Sequence, residues 1–170
     1  FQKVKINFKN KKNLYQNIKN IRPDIILNAA GFTDVKKCEL NKKDANFTNF
    51  EILKPLIKIA NKLKIKIIQI SSDHIFDGSK IGLYKETDKV KTINHYANTK
   101  VKAEKEIKKS CNNFLIIRTN FFGWGTYYRN SFTDLIIKNL SLSKLTYLKS
   151  DVFFNPVYLG DLIDCLNILI

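Results

Sequence analysis

Tyr96 and Lys100 stand four residues apart in the stretch HYANTK, so on a helix their side chains share one face. A phenol beside an ammonium is an acid/base pair suited to protonating a carbonyl oxygen. The spacing alone carries little weight, because 7 Tyr in a Lys-rich chain give about one such pair by chance. Tyr15 and Lys19 form a second pair with the same spacing. The residues around Tyr96 must therefore decide whether it forms an acid/base pair with Lys100 or an ordinary pair on a helix surface.

Two serines supply a third group for this chemistry. Ser71 and Ser72 directly follow an Ile-rich run, where a turn or helix cap is the ordinary interpretation. Together with Tyr96 and Lys100, however, a Ser hydroxyl completes the set needed to reduce a ketone. Tyr96 would donate the proton, Ser72 would polarise the oxygen, and the ammonium of Lys100 would lower the pKa of Tyr96. At about 4 Å that attraction is about 4 kcal/mol, or roughly three pKa units. A nicotinamide cofactor must supply the hydride.

The elements that must position these residues alternate along the chain. Short apolar runs predict buried parallel strands at Asp24–Gly31, Ile65–Asp73 and Asn113–Gly123. Helical patterns cover Asn41–Lys64, Asn94–Lys109 and Ser131 to Leu140. Pro55 should kink the first helix or mark its true start, and Glu104 and Lys108 should pair favourably on the second. This order predicts an α/β fold with a Rossmann-like doubly wound parallel sheet.

Each unusual short motif falls at the carboxyl end of a predicted strand, where such sheets bind ligands. NAAG ends the first strand, SSDHIFDG the second and RTNFFGWG the third. This convergence predicts a single site at one edge of the sheet.

The formal net charge of +15 raises nucleic acid or an anionic membrane as partners. We favour a compositional bias of the source, because the excess is nearly all Lys and is spread along the whole chain. The arginines, which suit phosphate and guanine contacts, are only Arg22, Arg118 and Arg129. No run of about 18 apolar residues predicts a membrane span. We therefore expect neither a nucleic acid nor a membrane as partner.

The cysteines and histidines predict no metal site. Cys38, Cys111 and Cys165 are far apart, and His74 and His95 have no partners at ligand spacing. We expect a reduced cytoplasmic protein.

These motifs, taken in order, resemble the extended short-chain dehydrogenase/reductases. The fuller pattern is similar to the dTDP-4-dehydrorhamnose reductase family. It is carried by RPDIILNAAGFTDVKKCE, SSDHIFDGSK, YKETD (Tyr84–Asp88), HYANTKVKAEKEI and IIRTNFFGWG, and it runs from about Ile21 to the end of the chain.

The resemblance implies NAD(P)H-dependent reduction of the 4-keto group of a dTDP-6-deoxy-hexulose, for surface polysaccharide sugars. It makes Tyr96 the proton donor, Lys100 its partner and Ser72 the third catalytic residue. The positions it assigns to the cofactor, NADPH or NADH, are Asn28, Ala29, Ala30, Gly31, Asn49, Ser71, Tyr96, Lys100 and Thr119. Those it assigns to the nucleotide-sugar substrate are Thr33, Asp34, Val35, Asp73, His74, Asn120 and Phe121.

Some of these positions have equally ordinary interpretations. Asn49 matches a family Asn beneath the cofactor, but it could also be a surface residue. Phe121, Phe122 and Trp124 could pack in a core. His74 and Phe121 stand where the family usually has Tyr and Trp, which leaves the particular sugar open.

The resemblance also predicts that the chain is a fragment, a partial domain over residues 1–170 truncated at the N-terminus and at the C-terminus. The Gly-rich loop that should cradle the pyrophosphate would precede Phe1. Elements that bind the substrate should begin within residues 120–170.

Two other functions remain open at this point. One is a nucleotide-sugar epimerase or dehydratase, which uses the same Tyr and Lys but retains its cofactor. The other is a non-catalytic regulatory subunit of the methionine adenosyltransferase type. A homodimer is also open.

Overall fold

The computed structural model describes residues 6–127, 130–148, 150 and 155–170. It divides the chain into two compact units, Phe1–Arg118 and Thr119–Ile170, and each is described by itself. Within the described ranges, no helix is both long and apolar enough to span a membrane.

The first unit contains a three-stranded parallel sheet in the order β1-β2-β3. Its strands are β1 (Ile25–Asn28), β2 (Lys66–Ile70) and β3 (Phe114–Ile117). The central strand β2 is the most buried, with Ile67 and Ile68 inaccessible to solvent, as its continuous apolar run predicts. The predicted parallel strands are confirmed.

The predicted third strand is too long. β3 ends at Ile117, and Phe121–Phe122 form a separate strand in the second unit. The polar residues Arg118, Thr119 and Asn120 interrupt the apolar pattern at this break, but they do not show that Phe121 and Phe122 pair with a different strand.

The helices of the first unit are α1 (Lys11–Ile21), α2 (Val35–Leu40), α3 (Lys42–Asn46), α4 (Leu53–Leu63) and α5 (His95–Ser110). A π-helical turn, Phe47–Glu51, lies between α3 and α4. The predicted helix over Asn41–Lys64 is therefore divided. Pro55 is the third residue of α4, so it marks the true start, because Pro lacks only an N–H that the first turn leaves unpaired. Helix α1 was not predicted from the sequence.

The core of the first unit joins α1, α4 and α5 to the sheet. Its buried side chains include Leu14, Leu53, Ile57, Ile67 and Ile107. The predicted helix Asn94–Lys109 matches α5 closely. Asn94 caps that helix by accepting a hydrogen bond from the backbone N–H of Ala97 at 2.8 Å.

The second unit has a two-stranded parallel sheet and two helices. β4 (Phe121–Phe122) pairs with β5 (Val157–Tyr158), and the helices are α6 (Phe132–Ser141) and α7 (Leu159–Leu169). The predicted helix from Ser131 to Leu140 matches α6, which begins with a capping box between Ser131 and Asp134.

Candidate active site

The carboxyl end of β2 leads directly into Ser71 and Ser72, which are both buried. Ser72 caps the short 3-10 turn Asp73–Ile75 by accepting a hydrogen bond from the His74 N–H at 3.2 Å. This is the ordinary capping role of serine. The same side chain lies close enough to Tyr96 to lower the pKa of its hydroxyl, so the capping role is confirmed and the catalytic role of Ser72 stays a prediction.

Tyr96 and Lys100 lie on the buried face of α5, with 8% and 4% of their surfaces exposed. The predicted common face is confirmed, and α5 begins at His95, so Tyr96 lies in its first turn. The ring of Tyr96 meets His74 edge-on, with ring centres 5.8 Å apart. Tyr96 also packs in a cluster with Cys38 and Ala45.

The electrostatics of Tyr96 differ from the sequence-based expectation. Burial raises the pKa of Tyr96 above its ordinary value, and the lowering influence is the hydrogen bond with Ser72 rather than the charge of Lys100. The predicted lowering of the Tyr96 pKa by Lys100 is therefore wrong for this state of the protein. The physical reason is that removing a phenolate from water outweighs the hydrogen bond that stabilises it.

Lys100 directs its ammonium at the backbone of β2. Its Nζ donates a hydrogen bond to the carbonyl oxygen of Ile70 at 2.7 Å. Burial lowers the pKa of Lys100 to about 8, while the nearby charge of Glu104 acts in the opposite direction. The side chain therefore anchors α5 to the end of β2, next to the two serines.

Asn49 is buried in the π-helical turn and joins two parts of the site. Its Oδ1 accepts from the N–H of Phe32 at 2.6 Å, and its Nδ2 donates to the carbonyl of Phe32 at 3.1 Å and to Thr99 Oγ1 at 2.9 Å. Thr99 in turn donates to the carbonyl of Tyr96 at 2.6 Å. The surface interpretation of Asn49 is wrong, because it is 2% exposed; its contact with a cofactor stays a prediction.

The NAAG stretch forms the end of β1 and the loop after it. Asn28 donates through Nδ2 to Gln69 Oε1 at 2.7 Å and accepts from the N–H of Ala30 at 3.3 Å. Ala29 and Ala30 are exposed. A Cβ on Gly31 would lie 3.3 Å from the Thr33 methyl group, so a side chain there would be tight.

Ser71 and Glu104 belong to a buried ion-pair network. Ser71 Oγ donates to Glu104 Oε1 at 2.6 Å, and Arg118 Nη2 donates to Glu104 Oε2 at 2.7 Å. Burial alone would raise the pKa of Glu104, but hydrogen bonds from Arg118 and Ser71 outweigh it, so this pKa lies below its ordinary value. The predicted favourable interaction of Glu104 with Lys108 is present as a charge attraction, but Glu104 faces inward and its ion-pair partner is Arg118.

The other positions assigned to substrate are spread over several elements. Thr33 is exposed, and Asp34 caps α2 through the N–H of Lys37 at 3.0 Å. Val35 packs against the cluster that contains Tyr96, and Asp73 accepts from Ser72 Oγ at 3.2 Å.

The remaining assigned residues, Thr119, Asn120 and Phe121, belong to the second unit. The carbonyl of Asn120 accepts from the N–H of Val157 at 2.9 Å, and Phe121 pairs with Val157 in the sheet. Phe121, Phe122 and Trp124 are exposed rather than buried within this unit, so the core-packing interpretation is wrong there.

Several residues that shape the site were not predicted from the sequence. Gln69, Thr99 and Arg118 hold Asn28, Asn49 and Glu104 respectively. Gln69 carries a readable signal, because an amide within the Ile-rich strand IKIIQI needs a buried partner. The sequence around Thr99 and Arg118 gives no comparable signal.

This parallel sheet, with Ser72, Tyr96 and Lys100 at the end of its central strand, defines the class of the short-chain dehydrogenase/reductases. The model of the RmlD substrate binding domain family matches residues 1–170. The chain therefore belongs to that family.

Curated relatives agree with this assignment. The dTDP-4-dehydrorhamnose reductase of Shigella flexneri is 30% identical over 158 residues, which are 93% of this chain and 52% of that protein. The enzyme of Escherichia coli K12 is 30% identical with the same coverage. The chain thus spans about half the length of the curated relatives it matches.

Solved structures give the same result. The dTDP-4-dehydrorhamnose reductase of Bacillus anthracis, solved in complex with NADP, has a TM-score of 0.90 at 25% identity, covering 99% of this chain and 59% of that one. A hypothetical dTDP-4-dehydrorhamnose reductase of Sulfolobus tokodaii has a TM-score of 0.85 at 31% identity, covering 98% and 58%. The Rossmann-like fold is confirmed.

Proposed function

We propose that the complete protein reduces the 4-keto group of a dTDP-6-deoxy-hexulose with NADPH or NADH, for the synthesis of a surface polysaccharide sugar. The observation that carries this proposal is that the hydroxyl of Ser72 lies close enough to Tyr96 to influence its pKa, with both residues buried beside the anchored Lys100. The reductase names of the relatives at about 30% identity support a reductase over an epimerase or a regulatory subunit.

In this mechanism, Tyr96 donates its proton to the oxygen of the keto group as that oxygen gains charge. The raised pKa of Tyr96 keeps its phenol protonated at neutral pH, which suits a proton donor. Ser72 polarises the same oxygen through its hydroxyl, and burial of both residues strengthens that interaction. Lys100 stabilises the phenolate that the transfer leaves on Tyr96.

The loop after β1 has the chemistry that a nicotinamide cofactor needs. Ala29 and Ala30 are small and exposed at the carboxyl end of β1, so a flat ring system can approach the backbone closely. An ammonium has three donors, and Lys100 directs one to Ile70, which leaves others for ribose hydroxyls. A bound NADPH or NADH supplies the hydride. The NADP in the Bacillus anthracis structure supports NADPH.

We also propose that the complete protein is cytoplasmic, because its described cysteines Cys38, Cys111 and Cys165 are free, as in reducing compartments. A homodimer stays a prediction, which light scattering of the complete protein tests.

The decisive experiment offers the complete protein a panel of 4-keto nucleotide sugars and follows NADPH consumption. We expect turnover with a dTDP-6-deoxy-4-hexulose, and Tyr96→Phe should lower it by about a hundredfold or more with little change in stability, because only the transferable proton is lost. Tyr15→Phe is the matched control, since Tyr15 and Lys19 share the spacing but lie on α1; its turnover should equal that of the unmodified protein.

Unchanged turnover in Tyr96→Phe would remove Tyr96 from the mechanism. Tightly held cofactor with no net NADPH consumption for any sugar would indicate an epimerase instead. A stable complex with a partner enzyme and no reductase activity would indicate the regulatory subunit.

A further inference from the structure

Tyr96, Lys100 and Glu104 follow one another at four-residue intervals along the buried face of α5. The proposed mechanism uses the first two. Glu104 is 3% exposed, and a buried carboxylate is costly unless its charge is compensated and its oxygens are hydrogen-bonded. Its contacts therefore indicate what it does.

Glu104 holds the segment that carries Ser72. Its Oε1 accepts from Ser71 Oγ at 2.6 Å, and Ser71 is the residue directly before Ser72. The N–H of Ser71 also donates to the carbonyl of Ile117 at 2.7 Å. The backbone next to Ser72 is thus bound to α5 on one side and to β3 on the other.

The same carboxylate is fixed from the end of β3. Arg118 donates to Glu104 through Nε at 3.1 and 3.3 Å and through Nη2 at 2.7 Å. Arg118 Nη1 also donates to the carbonyl of Glu86 at 2.9 Å, and its guanidinium lies 5.5 Å from the centre of the Phe76 ring. One side chain therefore links α5, the ends of β2 and β3, and the loop before α5.

We propose that Glu104 is a positioning residue for proton transfer, an inference that rests on the proposed function. It fixes the distance between Ser72 and Tyr96 by tying Ser71 to α5, and its negative charge stabilises the ammonium of Lys100. Neither effect requires contact between Glu104 and the substrate.

The charges around the site agree with this role. Lys100 is faced by Glu104 from its own helix and by the Ile70 carbonyl from β2, and Glu104 is faced by Arg118 from β3 and by Lys108 from α5. Burial lowers the pKa of Lys100 to about 8, and Glu104 opposes that lowering. Without the carboxylate, Arg118 would lose its ion-pair partner.

The test compares Glu104→Gln, Glu104→Asp and Glu106→Gln in the complete protein. For Glu104→Gln we expect kcat to fall about tenfold, with KM for the nucleotide sugar changed less than about twofold, because alignment rather than binding is lost. The alkaline limb of its pH profile, where kcat declines, should lie about one pH unit lower, because the carboxylate that stabilises the ammonium of Lys100 has been removed. Glu104→Asp keeps the negative charge, so its alkaline limb should lie where that of the unmodified protein lies. Glu106→Gln, on the same helix but bonded to Ser110, should match the unmodified protein.

Ser71→Ala is the milder variant, because it removes the bond to Glu104 and leaves the ion pair with Arg118. We expect a lower kcat with an unchanged alkaline limb. Loss of thermal stability in the Glu104 variants with kcat and its pH profile unchanged would overturn the proposal. So would an unchanged kcat in Ser71→Ala.

Failure of the proposed function has a different signature. If the unmodified protein reduces no sugar, the titration of Lys100 can still be measured from stability. The quantity to follow is the difference in unfolding free energy between the protein with Lys100 and the Lys100→Met variant, as a function of pH. In the Glu104→Gln background, that dependence should begin about one pH unit lower. No shift in this measurement would overturn the link between Glu104 and Lys100, whatever the enzyme does.

Discussion

Burial keeps the proton on the hydroxyl of Tyr96. The pKa of Tyr96 is raised chiefly because a phenolate at this position would lose its hydration, and the Asp73 carboxylate adds to that effect. The ammonium of Lys100 is itself destabilised by burial. A neutral phenol beside a lysine of lowered pKa can release its proton as negative charge develops on a substrate oxygen. The ammonium of the lysine can then stabilise the phenolate that remains.

The lowered pKa of Lys100 predicts a particular pH dependence of stability. Below about pH 8 the ammonium is charged in the folded and the unfolded state, and the folded state bears the cost of burying it. Between about pH 8 and the ordinary value of 10.5, the unfolded chain binds more protons, so the contribution of Lys100 to stability rises with pH. Lowering the pKa of Lys100 from 10.5 to about 8 corresponds to about 3 kcal/mol.

We therefore expect the unmodified complete protein to gain about 2 to 3 kcal/mol of unfolding free energy relative to Lys100→Met between pH 7 and about pH 10. Urea unfolding at a series of pH values measures this difference. Lys105→Met, an exposed lysine on the same helix, should give a difference that is flat with pH. A flat difference for Lys100→Met as well would mean that Lys100 titrates as it does in water.

At the scale of elements, the π-helical turn Phe47–Glu51 determines where Asn49 lies. The wider turn ends just before α4, and the side chain of Asn49 bridges the loop after β1 and helix α5. Single π-helical turns occur frequently at functional sites, because the irregular backbone directs a side chain that a regular helix would turn away. Here that side chain connects the two segments predicted to contact cofactor and substrate.

Replacing Asn49 by Ala should destabilise the complete protein by about 2 to 4 kcal/mol, because the backbone groups of Phe32 and the hydroxyl of Thr99 lose their buried partner. Urea unfolding measures the change. The control is Asn20→Ala, an exposed residue on α1, which should change stability by less than about 0.5 kcal/mol. Equal stability of the two variants would show that the bridge does not stabilise the fold.

At the scale of the whole molecule, a net charge of +15 produces a positive field. The basic residues are almost all Lys, and one of the few arginines, Arg118, is used internally by Glu104. Such a field attracts polyanions through counterion release and carries no sequence information.

We therefore expect the complete protein to bind duplex DNA only weakly and without sequence preference. Affinity should fall by about tenfold or more between 50 mM and 200 mM salt, because it depends on displaced counterions. Fluorescence anisotropy with two unrelated duplexes measures it. Tight binding to one duplex at the higher salt concentration would contradict this expectation and would make nucleic acid a partner.

The sequence by itself determined the alternation of the parallel strands with helices and the choice of Ser72, Tyr96 and Lys100 as candidate catalytic residues. Ile-rich runs of strand length, separated by helical patterns, suffice for a parallel α/β sheet, because both faces of such strands must be buried. Ser72, Tyr96 and Lys100 could be identified because each lies beside a signal of its own, a strand end or a helix start. The division at Arg118 was not predicted, because the polar residues 118–120 show an interruption of the apolar pattern but not that a second sheet begins after it.

Only the tertiary structure determined the pKa values and the contacts of those groups. The pKa of Tyr96 is set by how much water surrounds it, and that depends on packing by residues distant in the chain, such as Cys38. The spacing along α5 pairs Glu104 with Lys108, but only the packing of α5 on the sheet brings Arg118 and Ser71 into contact with that carboxylate. Spacing along a helix shows which side chains share a face, but the rest of the fold determines what that face contacts.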